Sequence, residues 1–580
     1  MPAAHKSFQH VSYLWDEARA AQCGTDQVSL LVYRSNLLGA DLRLTNYGGG
    51  NTSCKIMEAD PLTGDPVPVM WIKGSGGDLG TLTRKGLSAL YVDRLRALEK
   101  KYRGVSFEDE MVDLFSHCLF DPASRAPSID TPLHGFLPYA HIDHLHPDAV
   151  IAIAAAKDGK AIAQELFQGK IGWVDWQRPG FDLGLKLRSC ITENKELRGI
   201  ILGSHGLFTW GDTAYACYCN TLEVVEQSAA YLAAAYRKKR KVFGGALITA
   251  PAPEKRHQQA AALMPVLRGL LCAPENATAN SSSGSTKVGH FADDDTILEF
   301  VNSADLQRLA PLGTSCPDHF LRTKIAPWVL PLTAEEDLSD RTVVQNKLKS
   351  SLQEYKGQYQ HYYREYCTPD SPPIRDANPV VLLYPGIGLF TFAKDKSTAR
   401  IAAEFYCNAI QVMKGAEAIS AYTALPRNEA FRIEYWLLEE AKLQRMPPPK
   451  PLSGKVVLVT GSGGGIGKAI ARKMAAEGAC VVLSDIHPER LQQTLSAFQQ
   501  EFGKDVVRAV PLNVTDASSI QKAFQQMVVQ FGGIDVLVNN AGISISKTLL
   551  EHTESDWDQL YAILDRKSTR LNSSHGYISY

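Results

Sequence analysis

Two polar segments interrupt this chain and limit the size of any domain that it can form. The first, CAPENATANSSSGSTK (272–287), is low in complexity, and the second, MPPPKPLSGK (446–455), contains prolines that prevent a helix from continuing. A chain of 580 residues is also too long for a single hydrophobic core. We therefore expect three domains, over residues 1–255, 288–445 and 452–564.

The composition narrows the kind of partner that the chain can bind. The sequence has 61 basic and 62 acidic residues, so no net field points to nucleic acid or to an anionic membrane. Its 11 cysteines follow no disulfide framework, and neither a signal-peptide core nor a membrane-spanning apolar run is present. We therefore expect a cytoplasmic protein that acts on a small molecule and binds neither nucleic acid nor membrane.

Two stretches of the chain share one pattern. Residues 198–233 and 379–416 each contain an apolar strand, a glycine-containing turn, the letters GLFT with an aromatic residue after them, and a long helix. Strand, turn and helix recur in many proteins, which would explain their order but not the repeated GLFT. We therefore predict a degenerate internal repeat. The alignment sets His205 against Ile387, so the second copy lacks whatever chemistry His205 performs.

A continuous apolar run opens the third block and leads into a cluster of glycines. The spacing TGxxxGIG is formed by Gly461, Gly465, Ile466 and Gly467. A dinucleotide site needs such a turn because glycines allow positive backbone angles and a close approach to the pyrophosphate, and the following helix supplies its dipole. Asp485 ends the next apolar run, where a carboxylate accepts from ribose hydroxyls and disfavours a 2′-phosphate. This βαβ pattern predicts a site for NAD.

Three histidines lie within the stretch HIDHLHPDAV (141–150). Side chains alternate along a strand, so His144 and His146 point to one face and His141 to the other. His205, in GSHGLFTWG, is the natural third ligand of a metal site with one open position, and three neutral imidazoles suit zinc or a similar divalent ion. We assign His141 a structural role. The alternative is that histidines ahead of a proline only cap a strand or bond to backbone groups.

Two further turns are rich in glycine, serine and threonine. GGGNTS (48–53) offers Asn51 and Thr52, and KGSGGDLG (73–80) offers Ser75 and Gly76 with Lys73 beside them. Groups of this kind donate hydrogen bonds to an anion. A metal site accompanied by a phosphate cradle indicates a phosphorylated sugar as substrate.

These motifs together resemble those of the class II aldolase/adducin family, over residues 28–235. The family's GN-S turn, SG turn, H-x-H-P and NHG motifs have counterparts at Asn51 to Ser53, Ser75 to Gly76, His144 to Pro147 and Ser204 to Gly206. The resemblance implies an α/β chain with a class II aldolase-type α/β/α domain. The repeat then becomes a degenerate second aldolase-like block.

The family uses a glutamate as its acid/base, four residues before a histidine. The matching segment here is PSIDTPLH, which places Asp130 before His134 and implies that Asp130 is the catalytic acid/base. Aspartate is one methylene group shorter than glutamate. Either the backbone lies closer to the substrate, or another acid such as Glu108 or Glu110 takes this role.

The third block resembles the short-chain dehydrogenase/reductase family over residues 452–564. The motif NNAG implies that Asn539, Ala541 and Gly542 also line the cofactor site. The family's catalytic serine and Tyr-x-x-x-Lys pair have no counterpart in the sequence, and residues 565–580 resemble translated sequencing adapter. We therefore expect an incomplete Rossmann doubly wound parallel sheet that lacks hydride transfer, followed by a foreign tail.

The whole arrangement is similar to the bifunctional rhamnulose-1-phosphate aldolase/alcohol dehydrogenases. The resemblance implies metal-dependent cleavage of rhamnulose 1-phosphate to dihydroxyacetone phosphate and lactaldehyde, a lactaldehyde dehydrogenase domain that uses NAD, and a homo-oligomer. Two alternatives remain. One is a pentulose-phosphate epimerase of the same superfamily, and the other is a non-catalytic adducin-like scaffold, against which the complete histidine set argues.

Overall fold

The computed structural model describes residues 8–272, 286–438, 440 and 448–565. The predicted foreign tail therefore lies almost wholly outside the described residues, as does most of the first polar segment. The chain forms two compact units. Unit 1 comprises Met1–Gly245, Leu312–Leu321 and Phe405–Leu438, and unit 2 comprises Ala246–Pro311, Arg322–Glu404 and Glu439–Tyr580. Among the described residues, no helix is both long and apolar enough to cross a membrane.

Strands and helices alternate along most of the chain. The strands are β1 (Asn51–Ala59), β2 (Pro66–Lys73), β3 (Leu87–Tyr91), β4 (His141–Leu145), β5 (Ile171–Val174), β6 (Gly199–Leu202), β7 (Gly206–Gly211), β8 (Val288–Ala292), β9 (Trp328–Val329), β10 (Val381–Tyr384), β11 (Gly388–Ala393), β12 (Val456–Thr460), β13 (Cys480–Asp485), β14 (Val507–Pro511) and β15 (Val536–Val538). The helices are α1 (Glu17–Gln22), α2 (Gln27–Gly39), α3 (Val92–Ala97), α4 (Glu108–Leu114), α5 (Thr131–Gly135), α6 (Asp148–Ala154), α7 (Gly159–Phe167), α8 (Phe181–Glu193), α9 (Ala214–Lys238), α10 (Pro253–Cys272), α11 (Asp295–Val301), α12 (Leu306–Leu309), α13 (Phe320–Thr323), α14 (Arg341–Tyr366), α15 (Lys396–Ile419), α16 (Arg427–Glu434), α17 (Gly465–Ala476), α18 (Pro488–Phe502), α19 (Ala517–Phe531) and α20 (Glu554–Leu564).

Unit 1 is a three-layer α/β/α structure around a mixed sheet with the strand order β3-β2-β1-β4-β7-β6-β5. All residues of β4 are buried, because this strand lies at the centre of the sheet and helices cover both faces. Leu145 and Leu207 pack with α2 and α9 on one face, and Ile142 and Phe208 pack with α5 and α8 on the other. This arrangement confirms the expected class II aldolase-type layering.

Unit 2 contains a second mixed sheet, with the strand order β8-β11-β10-β9. Its neighbours are antiparallel, antiparallel and parallel in turn. The strands β4-β7-β6-β5 of unit 1 have the same succession of directions. The second block is therefore a shortened version of the first, as the repeated GLFT motif predicted.

The other sheet of unit 2 is wholly parallel, in the order β14-β13-β12-β15. Every residue of β12 is buried, which explains its continuous apolar sequence. Val457 and Val459 pack with α17 and α18 on one face, whereas Val456 and Leu458 pack with α19 on the other. Helices on both faces of a parallel sheet define the Rossmann-like doubly wound arrangement that the glycine motif predicted.

Candidate metal and cofactor sites

Three buried imidazoles form the centre of the first site. His144 lies on β4, His146 follows the end of that strand, and His205 lies in the turn between β6 and β7. One ligand nitrogen of each ring lies within 4.8 Å of the others, and the ring centroids are 4.8, 5.0 and 5.2 Å apart. Ligand atoms this close converge on one point, as a single-ion site requires.

Burial keeps two of these imidazoles neutral. It lowers the pKa of His144 well below its ordinary value and that of His205 to about 3, and the neighbouring imidazoles add to both shifts. His144 Nδ1 lies 3.1 Å from the Leu207 carbonyl oxygen, so its proton points there and Nε2 remains an acceptor. His205 Nδ1 is buried without a hydrogen-bond partner in the described part of the chain. Buried ring nitrogens whose lone pairs lack a donor in the protein are suited to binding zinc or a similar divalent ion.

Asp130 lies beside the imidazoles, just before α5. Its carboxylate accepts hydrogen bonds from Asn51 Nδ2 and, at 3.2 Å, from Ser128 Oγ. Asn51 is paired with His144 across β1 and β4, which places Asp130 next to that strand. Burial, and then the negative charge of Asp318, raises the pKa of Asp130 above its ordinary value. A carboxyl group in this setting is suited to accepting and returning a proton.

The two alternative acids have other partners. Glu108 is 1% exposed and accepts a hydrogen bond of 2.9 Å from the backbone N–H of Asp182, in the first turn of α8. Glu110 is exposed and pairs with Arg103. Of the three acids, Asp130 is the one whose carboxylate interacts with the histidine cluster.

Two of the predicted phosphate ligands lie on β1 rather than in a turn. Asn51 begins this strand and donates its amide to Asp130. Thr52 is fully buried, and its hydroxyl lies 2.6 Å from Ser35 Oγ. The alternation of the strand turns Thr52 to the face opposite Asn51. The prediction is therefore wrong for the Thr52 side chain, which is not available to an anion.

The second predicted turn is accessible to a ligand. Gly76 is exposed and has a φ of 71°, which a residue with a Cβ rarely adopts. Arg125 Nε donates a hydrogen bond of 2.7 Å to the Ser75 carbonyl oxygen, so an exposed guanidinium lies along this turn. Lys73 is buried at the end of β2, and its charge acts on Asp130. No local pattern of residues marks Arg125, because the fold alone brings it to this turn.

A segment from the second predicted block reaches the histidine cluster. Residues 314–319, TSCPDH, belong to unit 1, and Asp318 Oδ2 lies 2.6 Å from His146 Nδ1. Burial would lower the pKa of His146, but the Asp318 carboxylate raises it well above the ordinary value. Cys316 Sγ lies 3.9 Å from the same nitrogen. Sequence reasoning missed this segment, whose one signal is the short run of Cys, Asp and His.

His141 lies on β4 but outside the imidazole cluster. Its Nδ1 is 2.9 Å from Arg34 Nη1, and Arg34 Nε forms a fully buried ion pair of 2.9 Å with Asp143. Cys217 and Thr221 donate to the same carboxylate. These contacts hold β4 in place from the face opposite His144, which agrees with a structural role for His141.

The turn after β12 has the backbone that its glycines suggest. Gly461 and Gly465 have φ values of 66° and 54°, and α17 begins at Gly465. A Cβ on Gly467 would lie 2.3 Å from the Gly461 carbonyl oxygen, so this helix packs against the turn only because residue 467 is glycine. Ile466 is 74% exposed at the first turn of the helix. The backbone N–H groups of this helix end are suited to a pyrophosphate.

The acid and the NNAG motif lie at the same edge of the parallel sheet. Asp485 accepts a hydrogen bond of 3.0 Å from the backbone N–H of Gly463. Asn540, which sequence reasoning did not select, donates to the carbonyl oxygens of Thr460 and Gly461 at 2.8 and 3.1 Å and so fixes the turn. The strand order reverses between β12 and β15, where open α/β sheets bind their ligands. The predicted residues that follow β15 are Asn539, Ala541 and Gly542.

Three family models match consecutive parts of the chain. Residues 30–232 match the class II aldolase and adducin N-terminal domain, residues 258–443 match the second domain of class II aldolases, and residues 455–564 match the short chain dehydrogenases. Class II aldolases use divalent metals, and short-chain dehydrogenases use NAD or NADP. These are domains of a lyase and of an oxidoreductase.

One relative matches almost the whole chain. The uncharacterized oxidoreductase YuxG of Bacillus subtilis (strain 168) is 38% identical over 548 residues, which cover 94% of this chain and 77% of the relative. This chain therefore belongs to the YuxG family and joins class II aldolase domains to a short-chain dehydrogenase domain.

Two further matches each cover one part of the chain. The 3-oxoacyl-acyl-carrier-protein reductase FabG of Thermotoga maritima is 44% identical over 107 residues, 18% of this chain and 43% of the reductase, so the chain spans less than half of that relative. A solved N-terminal class II aldolase domain from Thermoplasma acidophilum is 29% identical and covers 39% of this chain and 100% of that structure, with a TM-score of 0.35.

Proposed function

We propose that unit 1 is a metal-dependent aldolase that cleaves rhamnulose 1-phosphate to dihydroxyacetone phosphate and lactaldehyde. The observation that carries this proposal is the convergence of three buried imidazoles, within 4.8 Å of one another, beside the buried carboxylate of Asp130. His144, His146 and His205 would hold zinc or a similar divalent ion. When bound, this ion acts as a Lewis acid that polarises the substrate carbonyl.

Asp130 moves the proton in this proposal. Its carboxylate takes the proton of the C4 hydroxyl, the C3–C4 bond breaks, and its electron pair stays on the fragment that carries the phosphate. The protonated carboxyl group then returns the proton to C3, and lactaldehyde leaves with the new carbonyl group. Asn51 holds the carboxylate in place through its amide. Proton transfer by a positioned side chain of this kind contributes about 10²–10⁴-fold to the rate.

The phosphate of the substrate binds at the open turn around Ser75 and Gly76. Arg125 supports this assignment, because its guanidinium already donates to the Ser75 carbonyl oxygen and lies in solvent. Arginine binds phosphate groups through paired N–H donors. Asn51 contributes to substrate binding in a different way. Its side-chain carbonyl oxygen Oδ1 is buried without a partner among the described residues and could accept a hydrogen bond from a substrate hydroxyl.

An assay for aldehyde release tests this proposal. Purified protein is incubated with rhamnulose 1-phosphate before and after dialysis against a chelator, and its metal content is measured in parallel. We expect release of lactaldehyde that disappears with the metal and returns when zinc is added. Bound metal without cleavage, or recovery of an epimerised ketose phosphate, would contradict the aldolase.

For residues 452–564 we propose a site that binds NAD. Asp485 supports the preference for NAD, because its carboxylate is held beside the glycine turn by the Gly463 N–H and its negative charge disfavours a 2′-phosphate. Titration of the protein with NAD and NADP should show tighter binding of NAD. Asp485→Ser should reduce this preference about tenfold, which equals about 1.4 kcal/mol. An unchanged preference would refute the proposal.

We place the protein in the cytoplasm, as a homo-oligomer. The 11 cysteines all lie among the described residues and none of them forms a disulfide, which supports a reducing compartment. The assembly is tested by gel filtration with light scattering, where a monomer at micromolar concentration would contradict it.

A further inference from the structure

A loop from the second predicted block reaches the histidine cluster of unit 1. We name residues 316–319 the CPDH loop. Within it, Asp318 Oδ2 lies 2.6 Å from His146 Nδ1, the imidazole nitrogen that faces away from the other two histidines. The second nitrogen, His146 Nε2, lies 3.1 Å from His144 Nε2. The imidazole of His146 therefore stands between the carboxylate and the centre of the site.

The CPDH loop is held firmly in this position. The hydroxyl of Tyr422 donates a hydrogen bond of 2.8 Å to the Gly313 carbonyl oxygen, just before the loop. At its other end, the ring of His319 lies 2.7 Å from Thr314 Oγ1 and 3.2 Å from Asn46 Nδ2, and it stacks on Phe405. These contacts all lie within unit 1.

A glycine leaves the space that this contact needs. A Cβ on Gly49 would lie 2.8 Å from Asp318 Oδ2 and 2.9 Å from His146 Nδ1, so the backbone there packs directly on the pair. The contacting oxygen of Asp318 is buried, although about 33% of its side chain is exposed. The run of glycines before β1 therefore leaves room for the contact between Asp318 and His146 and also forms the turn that precedes the strand.

We infer that Asp318 is a positioning residue of the metal site, which orients His146 so that its Nε2 points to the ion. Asp318 Oδ2 occupies the Nδ1 side of the ring at 2.6 Å, so Nε2 is the nitrogen of His146 that remains for the metal. The inference rests on the metal site of the proposed function. It gives the second block a role in the site of the first, even though its own copy of the GLFT turn carries Ile387.

Metal affinity of the full-length protein tests this role. Apo protein is titrated with Co²⁺ and with Zn²⁺ in competition with a chelating dye, for the wild type, Asp318→Asn and Asp318→Ala. We expect one equivalent of metal in the wild type and a 10- to 100-fold weaker affinity in both variants, as found when a carboxylate partner of a metal-bound histidine is removed. The visible spectrum of the Co²⁺ form should also change in Asp318→Asn, because a displaced imidazole alters the coordination geometry.

Two control variants test whether the effect is specific to the carboxylate of Asp318. Asp305→Asn removes a half-buried partner of Arg308 in unit 2 and should leave the affinity and the Co²⁺ spectrum unchanged. Cys316→Ser should do the same, because its sulfur lies 3.9 Å from His146 Nδ1. A loss in Cys316→Ser as large as that in Asp318→Asn would assign the role to the thiol and overturn the inference.

The outcomes also distinguish this inference from the proposed function. A wild type that binds no metal would overturn the metal site itself. A wild type that binds metal and an Asp318→Asn variant with the same affinity and spectrum would overturn only the positioning role. Asp318→Asn with wild-type affinity but without aldol cleavage would overturn it too, because the carboxylate would then act in the reaction.

Discussion

The turn that carries His205 and the turn that carries Ile387 have the same backbone conformation. The first presents an imidazole and the second an aliphatic side chain. Residues 205 and 387 each donate their N–H to the residue three positions earlier, at 3.1 and 3.0 Å. The residue before each has a positive φ, 51° at Ser204 and 88° at Gly386. Both lie in a hairpin between a four-residue and a six-residue strand. The conformation of the turn is therefore independent of the metal site.

The neighbouring strands explain why one copy alone forms a cluster of imidazoles. His144 pairs with Phe208 on β7, and the corresponding partner of Phe390 on β11 is Phe291. Two residues beyond Phe291, at the position of His146, Asp293 forms an ion pair of 2.8 Å with Arg256. The second copy thus replaces all three imidazoles.

His205→Ala should have the largest effect, because it removes one of three ligands. We expect a loss of more than about 100-fold in metal affinity, since changes outside the ligand shell alone cost 10–100-fold, and no detectable aldol cleavage. Metal analysis after gel filtration and the aldehyde assay measure this. Retained metal and activity would remove His205 from the ligand set, and with it the contrast between the two turns.

Asp130→Asn should abolish proton transfer without affecting metal binding. We expect kcat for cleavage to fall about 10²–10⁴-fold while the metal content stays that of the wild type, because the amide does not exchange a proton and is not a ligand. Stopped-time aldehyde assays and metal analysis on the same sample measure both. The matched control is Glu108→Gln, in which cleavage should persist, and an equal loss there would contradict the assignment of Asp130.

Ile387→Ala tests whether the second turn serves packing. Ile387 is fully buried in a cluster with Phe291 and Phe390, so its truncation should destabilise unit 2 by about 2–5 kcal/mol. Metal content should not change. Unfolding in urea, followed by fluorescence, measures the loss, and a stability equal to that of the wild type would show that this turn is not part of the core.

Ile387→His should have the smallest effect on metal binding. The new imidazole would lie in the apolar cluster that contains Phe291, and Asp293, at the position of His146, is already paired with Arg256. The metal content should therefore stay at that of the wild type, with a cost of about 1–3 kcal/mol for a buried polar group. A second equivalent of bound metal would mean that a single residue, and not the replacement of all three imidazoles, separates the two copies.

Much of the site could be predicted from the sequence because its signals are local. Strand alternation groups His144 with His146, and the GLFT motif marks the turn of His205. The spacing from Gly461 to Gly467 likewise reflects the sterics of a single turn. Thr52 shows the limit of such reasoning, because strand β1 begins at Asn51 and the alternation turns the next side chain into the core.

The three blocks of motifs, the ligand types and the loss of His205 chemistry in the second copy can all be deduced from the order of residues, since short-range sterics and periodicity encode them. Three contacts become visible in the folded chain alone: Asn51 with Asp130, Arg125 with the turn at Ser75, and Asp318 with His146. These contacts join residues far apart in the chain. They depend on how whole helices and strands pack, which no local pattern of residues records.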